Sequence, residues 1–314
     1  MAEAAEPPPL DLVVVAGPTA SGKTPLALYL AERLGSEIVN FDSMQMFRGF
    51  DLGTAKPTSA ELARVPHHFI GEFAPEEDMT AGEYARRARP RLAEIAARGR
   101  LPVLVGGSGF YLRALLEGLS PLPAASPELR RRLRRRSPER LHRLLVRLDA
   151  EAARRIAVRD APKAIRALEV RCLTGRGLAA AWREHPRQPL PAVRALKLGL
   201  APPRAALYER INRRAAAMFA GGIQEETRRL LARYPAGLKL FAAHGYKQAC
   251  DLLLRGAELP AALAEAQQEQ RNYAKRQFTW FRRDAEIHWL AGFGDEPALQ
   301  AAALEYARLR PAGD

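Results

Sequence analysis

Eight residues near the N-terminus have the types and spacing to hold a chain of phosphates. Gly17-Pro18-Thr19-Ala20-Ser21-Gly22-Lys23-Thr24 fits G-x-x-x-x-G-K-[ST] at every position. Glycines let backbone N–H groups turn inward on phosphate oxygens, and a helix N-terminus adds partial positive charge. Lys23 supplies a full positive charge, and the Thr24 hydroxyl is a ligand for Mg²⁺. An acid, Asp42, ends the next apolar run in Asp42-Ser43-Met44-Gln45. Beside a bound phosphate chain it can hold metal through water, act as a general base on an incoming nucleophile, or cap a helix. An ordinary P-loop nucleotidase places a second acid at the end of a neighbouring strand. The candidate strand there runs into Gly106-Gly107-Ser108 instead.

These residues need elements to hold them. Residues 10–16 are a valine-rich run, apolar but for Asp11, suited to a buried parallel strand, and helical spacing follows over 24–34. Further strands are expected over 37–41, 101–105, 195–200 and 286–290. Helices are expected over 81–97, 207–233 and 259–283, with a short one in the tail at 293–314. Strands alternating with helices imply an α/β, P-loop NTPase-like, doubly wound parallel sheet. Its domain would comprise 1–120 plus 190–314. Proline-rich stretches near 121–127 and 186–191 bracket an inserted basic helical domain, 121–189.

Charge is concentrated in that insertion. The 314 residues carry 49 Lys+Arg against 35 Asp+Glu, net +14, and residues 126–187 hold 18 against 7, or +11. Arg130-Arg131-Arg132-Leu133-Arg134-Arg135-Arg136 is the densest piece. Leu129, Leu133, Leu141, Leu144, Leu145 and Leu148 suggest an apolar stripe under the arginines. Such a module suits a polyanion, with the arginine run giving general electrostatic steering. A second basic segment interleaves Lys275, Arg276, Arg282 and Arg283 with Tyr273, Phe278, Trp280 and Phe281. Cations there can meet phosphates and aromatics can stack on extruded bases, or the aromatics can pack on the sheet.

Other classes fall away. Cys172 and Cys250 stand alone, and the six histidines show no ligand spacing, so neither a disulfide scaffold nor a structural zinc site is expected. The histidines read as structural or surface residues. No apolar run is long enough to span a bilayer. Residues 1–10 are acidic and proline-rich, unlike a signal peptide, which favours a cytoplasmic setting.

Taken together, Gly17–Thr24, Asp42-Ser43-x-Gln45, Asp51-Leu52-Gly53-Thr54-Ala55-Lys56-Pro57 and Leu104-Val105-Gly106-Gly107-Ser108-Gly109-Phe110-Tyr111 resemble the tRNA dimethylallyltransferases. The resemblance continues in Arg166-Ala167-Leu168-Glu169-Val170, Gly245-Tyr246-Lys247 and Lys275–Arg282, so it covers most of the chain. It implies transfer of a dimethylallyl group from its diphosphate to N6 of the adenine at tRNA position 37, beside the anticodon. The P-loop then grips a leaving diphosphate, Thr24 carries Mg²⁺, Asp42 takes the amine proton, and Arg214 clamps the departing charge. Arg210 shares a helix face with Arg214 and supports it, while Arg213 points elsewhere. Ser108, where the family more often has threonine, keeps a hydroxyl for a diphosphate or metal contact. Phe47 stands where it often has tyrosine, so a hydroxyl contact there is absent. The target base must flip out of its stack, at a cost on the order of a few kcal/mol. Asp42, Ser43, Met44 and Gln45 would meet it, with the Gln45 amide able to bond both N6 and N7. Lys163, Arg166, Gly245, Tyr246, Lys247, Lys275, Arg276, Gln277, Trp280 and Arg282 complete the tRNA contacts that the resemblance implies. The partners are then the tRNA anticodon stem-loop and dimethylallyl diphosphate, with no membrane and a monomeric enzyme. A P-loop small-molecule kinase and a dimethylallyltransferase acting on free adenine nucleotides are the alternatives; a purely structural RNA-binding protein would need neither an intact P-loop nor a placed aspartate.

Overall fold

The computed structural model describes residues 10–309. The reading of residues 1–9 lies outside them, as does the end of the tail. Contacts divide the chain into two compact units. One takes the chain up to Leu116 and again from Leu190, and the other is Glu117–Pro189.

The first unit is built on six parallel strands: β1 (Leu10–Ala16), β2 (Glu37–Asn40), β3 (His67–His68), β4 (Pro102–Gly106), β5 (Val193–Leu200) and β6 (Ile287–Leu290). Their order is β3-β2-β4-β1-β5-β6, with β1 central between β4 and β5. Alternate residues of β1 serve opposite faces. Leu12 and Val14 join Leu92, Ile95 and Leu112 on one side, and Val13 and Val15 join Leu26, Leu30 and Leu299 on the other. Both faces are thus covered by helices, which is why β1 is apolar and buried from Leu12 to Ala16, while Asp11 at its start pairs with Arg194 at 2.8 Å.

Two expectations change. The helix expected over 207–233 is two helices, Arg204–Ala220 and Ile223–Leu231, broken at Gly221-Gly222, where Gly222 takes a left-handed φ of 95°. The two-residue strand β3 was not expected, being too short to show a period. The tail helix is Pro297–Arg308. Among the described residues no helix is long and apolar enough to cross a membrane.

The second unit is five helices: Pro127–Arg134, Pro138–Leu148, Ala150–Arg155, Ala161–Thr174 and Leu178–Glu184. Ser126, Ser137, Asp149 and Asp160 start the first four by accepting a backbone N–H three residues on. Leu133, Leu141 and Leu145 pack with Ala164 and Leu168 in their own core. Leu148, expected in that stripe, is instead 39% exposed. Glu169 is wholly buried and held by Arg130 at 2.9 Å and Arg166 at 2.6 Å, so Arg166 serves this unit's interior. Lys163 pairs with Asp160 at 2.5 Å and stays exposed.

Candidate active site

The loop between β1 and the helix Lys23–Leu34 sets the geometry. Gly22 caps that helix at φ 87°, and a Cβ there would press on Gly294 and Asp295. Gly294 N–H donates to Ser21 O at 2.9 Å, tying the chain after β6 to the loop. Lys23 Nζ bonds Pro18 O at 2.7 Å. The loop closes one side of a cavity of about 480 Å³, lined by Thr19, Lys23, Thr24, Asp42, Gln45 and Arg214 among others.

Asp42 follows β2 and is steered by its neighbours. Asn40, 1% exposed, accepts Asp42 N–H at 2.9 Å and donates to Asp42 O at 3.1 Å and Phe69 O at 2.9 Å. Asp42 Oδ1 accepts Met44 N–H at 3.1 Å, a local turn rather than a helix cap. Burial raises the Asp42 pKa above the ordinary carboxylate range, opposed by the Met44 N–H and the charges of Lys23 and Arg214. Burial lowers Lys23 to about 8, with Asp42 holding it up, and lowers Arg214 to about 10. Three charges therefore share one poorly solvated space, the situation in which functional groups acquire shifted pKa values.

Arg214 is fixed by Thr19 Oγ1 at 2.5 Å and Gln270 Oε1 at 3.0 Å, and its buried Nε makes no hydrogen bond within the protein. That leaves a donor for an anion. Arg210 also lines the cavity, but it forms a bidentate pair with Asp295 at 2.8 and 2.6 Å and lies 4.1 Å over the Phe293 ring. Arg213, expected to point elsewhere, lines the same cavity.

Several expected contacts are spent inside the protein. Gln277 is 4% exposed. It accepts Thr19 N–H at 2.7 Å and donates to Gly107 O at 3.0 Å, joining the P-loop to the turn after β4 rather than facing RNA. Tyr246 is fully buried, its ring against Phe50. Its neighbour Gly245 turns the chain into the helix Tyr246–Arg255. Ser108 Oγ accepts Ser43 N–H at 3.0 Å and donates to Ser43 Oγ at 3.1 Å. It props the segment after Asp42 and is not among the cavity-lining residues. Gln45 lines the cavity, but its Nε2 donates to Thr54 O and Ala55 O, so it cannot also supply the donor that adenine N7 requires.

A second groove, of about 410 Å³, is lined by Asn272, Lys275, Arg276, Thr279, Trp280 and Arg283. Trp280 is 36% exposed, edge-on to exposed Phe110. Phe281 belongs to the core, and Phe278 stacks on Trp289 with Arg282 5.3 Å above it. Lys247 pairs with Glu265 and Glu269. No cluster of three or more His, Cys, Asp or Glu suited to a metal occurs among the described residues. His67, expected to be structural, lines the main cavity. Asn40, Gln270 and Asp295 were not anticipated. Asn40 alone left a trace, standing two residues before Asp42.

Residues 45–284 match the family model described as IPP transferase. The chain is similar to the tRNA dimethylallyltransferase of Koribacter versatilis, 53% identical over 298 residues, covering 94% of this chain and 97% of that protein. It is similar to the crystal structure of the full-length tRNA isopentenylpyrophosphate transferase from Bacillus halodurans, with TM-score 0.70, 34% identity, and 95% and 96% of the two chains covered. A eukaryotic dimethylallyltransferase acting on tRNA shares the fold at TM-score 0.79 and 22% identity, covering 96% of this chain and 80% of that one.

Proposed function

The chain belongs to the tRNA dimethylallyltransferase family, and from that premise we propose that it moves a dimethylallyl group from dimethylallyl diphosphate to N6 of adenosine 37 in tRNA. The observation that carries this reading is the meeting of Asp42, Lys23 and Arg214 around one cavity at the P-loop. The adenine amine attacks C1 of the dimethylallyl group, the C1–O bond breaks, and diphosphate leaves with the bonding pair. Asp42 accepts the proton that the amine must lose. Its raised pKa brings it nearer neutrality, where a base works best. Lys23, Arg214 and the loop N–H groups meet the charge growing on the bridging oxygen.

Mg²⁺ is the expected cofactor. Thr24 lines the cavity beside Asp42, and its hydroxyl would hold the metal together with diphosphate oxygens and water. When bound, the metal neutralises diphosphate charge. The tRNA partner is engaged at its anticodon stem-loop, by a cytoplasmic monomer. Lys275, Arg276 and Trp280 offer the cations and the ring for that strand.

Labelled dimethylallyl diphosphate, unmodified tRNA and Mg²⁺ without ATP test the reading. Label should enter tRNA and not free AMP. Label in AMP would move the assignment to a free-nucleotide enzyme. No label, with ATP consumed in a parallel reaction, would make the loop a nucleotidase site.

A further inference from the structure

One buried carboxylate has no part in the chemistry above. Glu226 lies in the first turn of the helix Ile223–Leu231 and is 6% exposed. Burying a carboxylate is costly unless donors surround it. Glu226 Oε1 accepts the N–H groups of Asp51 at 3.2 Å and Leu52 at 3.1 Å, and Oε2 accepts Leu52 N–H at 3.2 Å. The Tyr246 hydroxyl donates to Glu226 Oε1 and accepts Gly53 N–H at 3.2 Å. Burial and Glu226 both raise the Tyr246 pKa, so it remains a donor. Three consecutive N–H groups, 51 to 53, thus end on two side chains about two hundred residues away in sequence. Position 53 must be glycine, because a Cβ would collide with the Tyr246 ring.

The anchored turn lines the cavity with Thr54 and Ala55, and it also holds Gln45 there. Ala55 N–H bonds Leu52 O at 3.1 Å, and Lys56 N–H bonds Asp51 O at 3.2 Å. The carbonyls of Thr54 and Ala55 then accept Gln45 Nε2 at 3.2 and 2.9 Å. Both amide hydrogens of Gln45 are used, so its Oε1 is left as an acceptor in a cavity that Asp42 also lines.

We propose that Glu226 and Tyr246 are positioning residues that hold Gln45 as an acceptor, so that the site selects a nucleobase carrying an exocyclic amine. This rests on the transferase reading. The amine has two hydrogens: Asp42 takes one in the reaction, and Gln45 Oε1 accepts the other, which stays on nitrogen in the product. A purine lacking the amine leaves Oε1 buried and unpaired, which disfavours it.

The test compares two anticodon stem-loops that differ only at the target base, adenine or unsubstituted purine. Binding is measured for wild type, Tyr246→Phe, Glu226→Gln, Gln45→Leu and the double variant Gln45→Leu/Tyr246→Phe. Wild type should prefer adenine, with roughly tenfold of that preference due to Gln45, the worth of one buried hydrogen bond. Tyr246→Phe and Glu226→Gln should lower that preference to the level left in Gln45→Leu, the remainder being due to Asp42, while the KM for dimethylallyl diphosphate stays unchanged. In the Gln45→Leu background Tyr246→Phe should cost nothing further. An undiminished preference in folded Tyr246→Phe, or an equal loss in the Gln45→Leu background, would overturn the proposal. Should Glu226→Gln fail to fold, Tyr246→Phe decides alone, since it keeps the buried ring. Failure of wild type to transfer label to the adenine stem-loop would overturn the functional reading itself, whatever the variants bind.

Discussion

The positive charge around the P-loop and the positive charge of residues 117–189 obey different physics. Lys23 and Arg214 share poorly solvated space with Asp42, and burial shifts all three. In the helical unit Arg131, Arg134, Arg135 and Arg136 are exposed, while Arg130 and Arg166 are committed to Glu169. Exposed charges are screened beyond about 10 Å at 0.1 M salt, whereas buried ones are screened far less. On the proposed reading, net charge marks where a polyanion docks, and desolvated charge marks where bonds change. Three residues carry the proposed chemistry, although most of the net charge lies elsewhere.

The comparison can be broken at its strongest point first. Asp42→Asn keeps the shape and removes the base, so transfer should fall on the order of a thousandfold while tRNA affinity stays within about twofold. Rapid-quench rates with a parallel binding titration check it. Arg214→Ala should lower kcat about a hundredfold, through lost charge stabilisation and the loosening of Thr19 and Gln270.

A pH profile of kcat/KM for dimethylallyl diphosphate sharpens the claim further. Asp42 acts deprotonated, so activity is lost as pH falls through its raised pKa. Lys23 acts protonated, so activity is lost as pH rises through about 8. The alkaline limb should vanish in Lys23→Arg, because a guanidinium stays charged there. The smallest effect belongs to the exposed cations. Lys275→Ala should flatten the salt dependence of tRNA binding by about one unit of slope, with kcat at saturating tRNA unchanged.

The sequence made the strand–loop–helix around Gly17–Thr24 legible because the motif and its flanks agree. It made Asp42 legible because an acid after a buried strand stands at the ligand edge of the sheet. The break at Gly221-Gly222 was hidden, because apolar spacing runs on through Ile223 and Leu230. The resemblance alone sets Gln277 among the RNA contacts. Its bond to Thr19 spans 258 residues, a pairing that no local pattern encodes. Glu226 was illegible for the same reason, since its partners lie near residue 52 and at Tyr246. Local rules found Lys23 and Asp42, the resemblance pointed to Arg214, and tertiary contacts revealed the groups that hold Arg214 in place.

The division between buried and solvated charge can be measured in one series. Single-turnover transfer is followed at saturating tRNA across a range of salt, beside tRNA binding. Binding should weaken linearly on a log–log plot, while the saturated rate stays within about twofold. A saturated rate that falls in parallel with binding would mean that screened charges drive the chemical step, and would contradict the account.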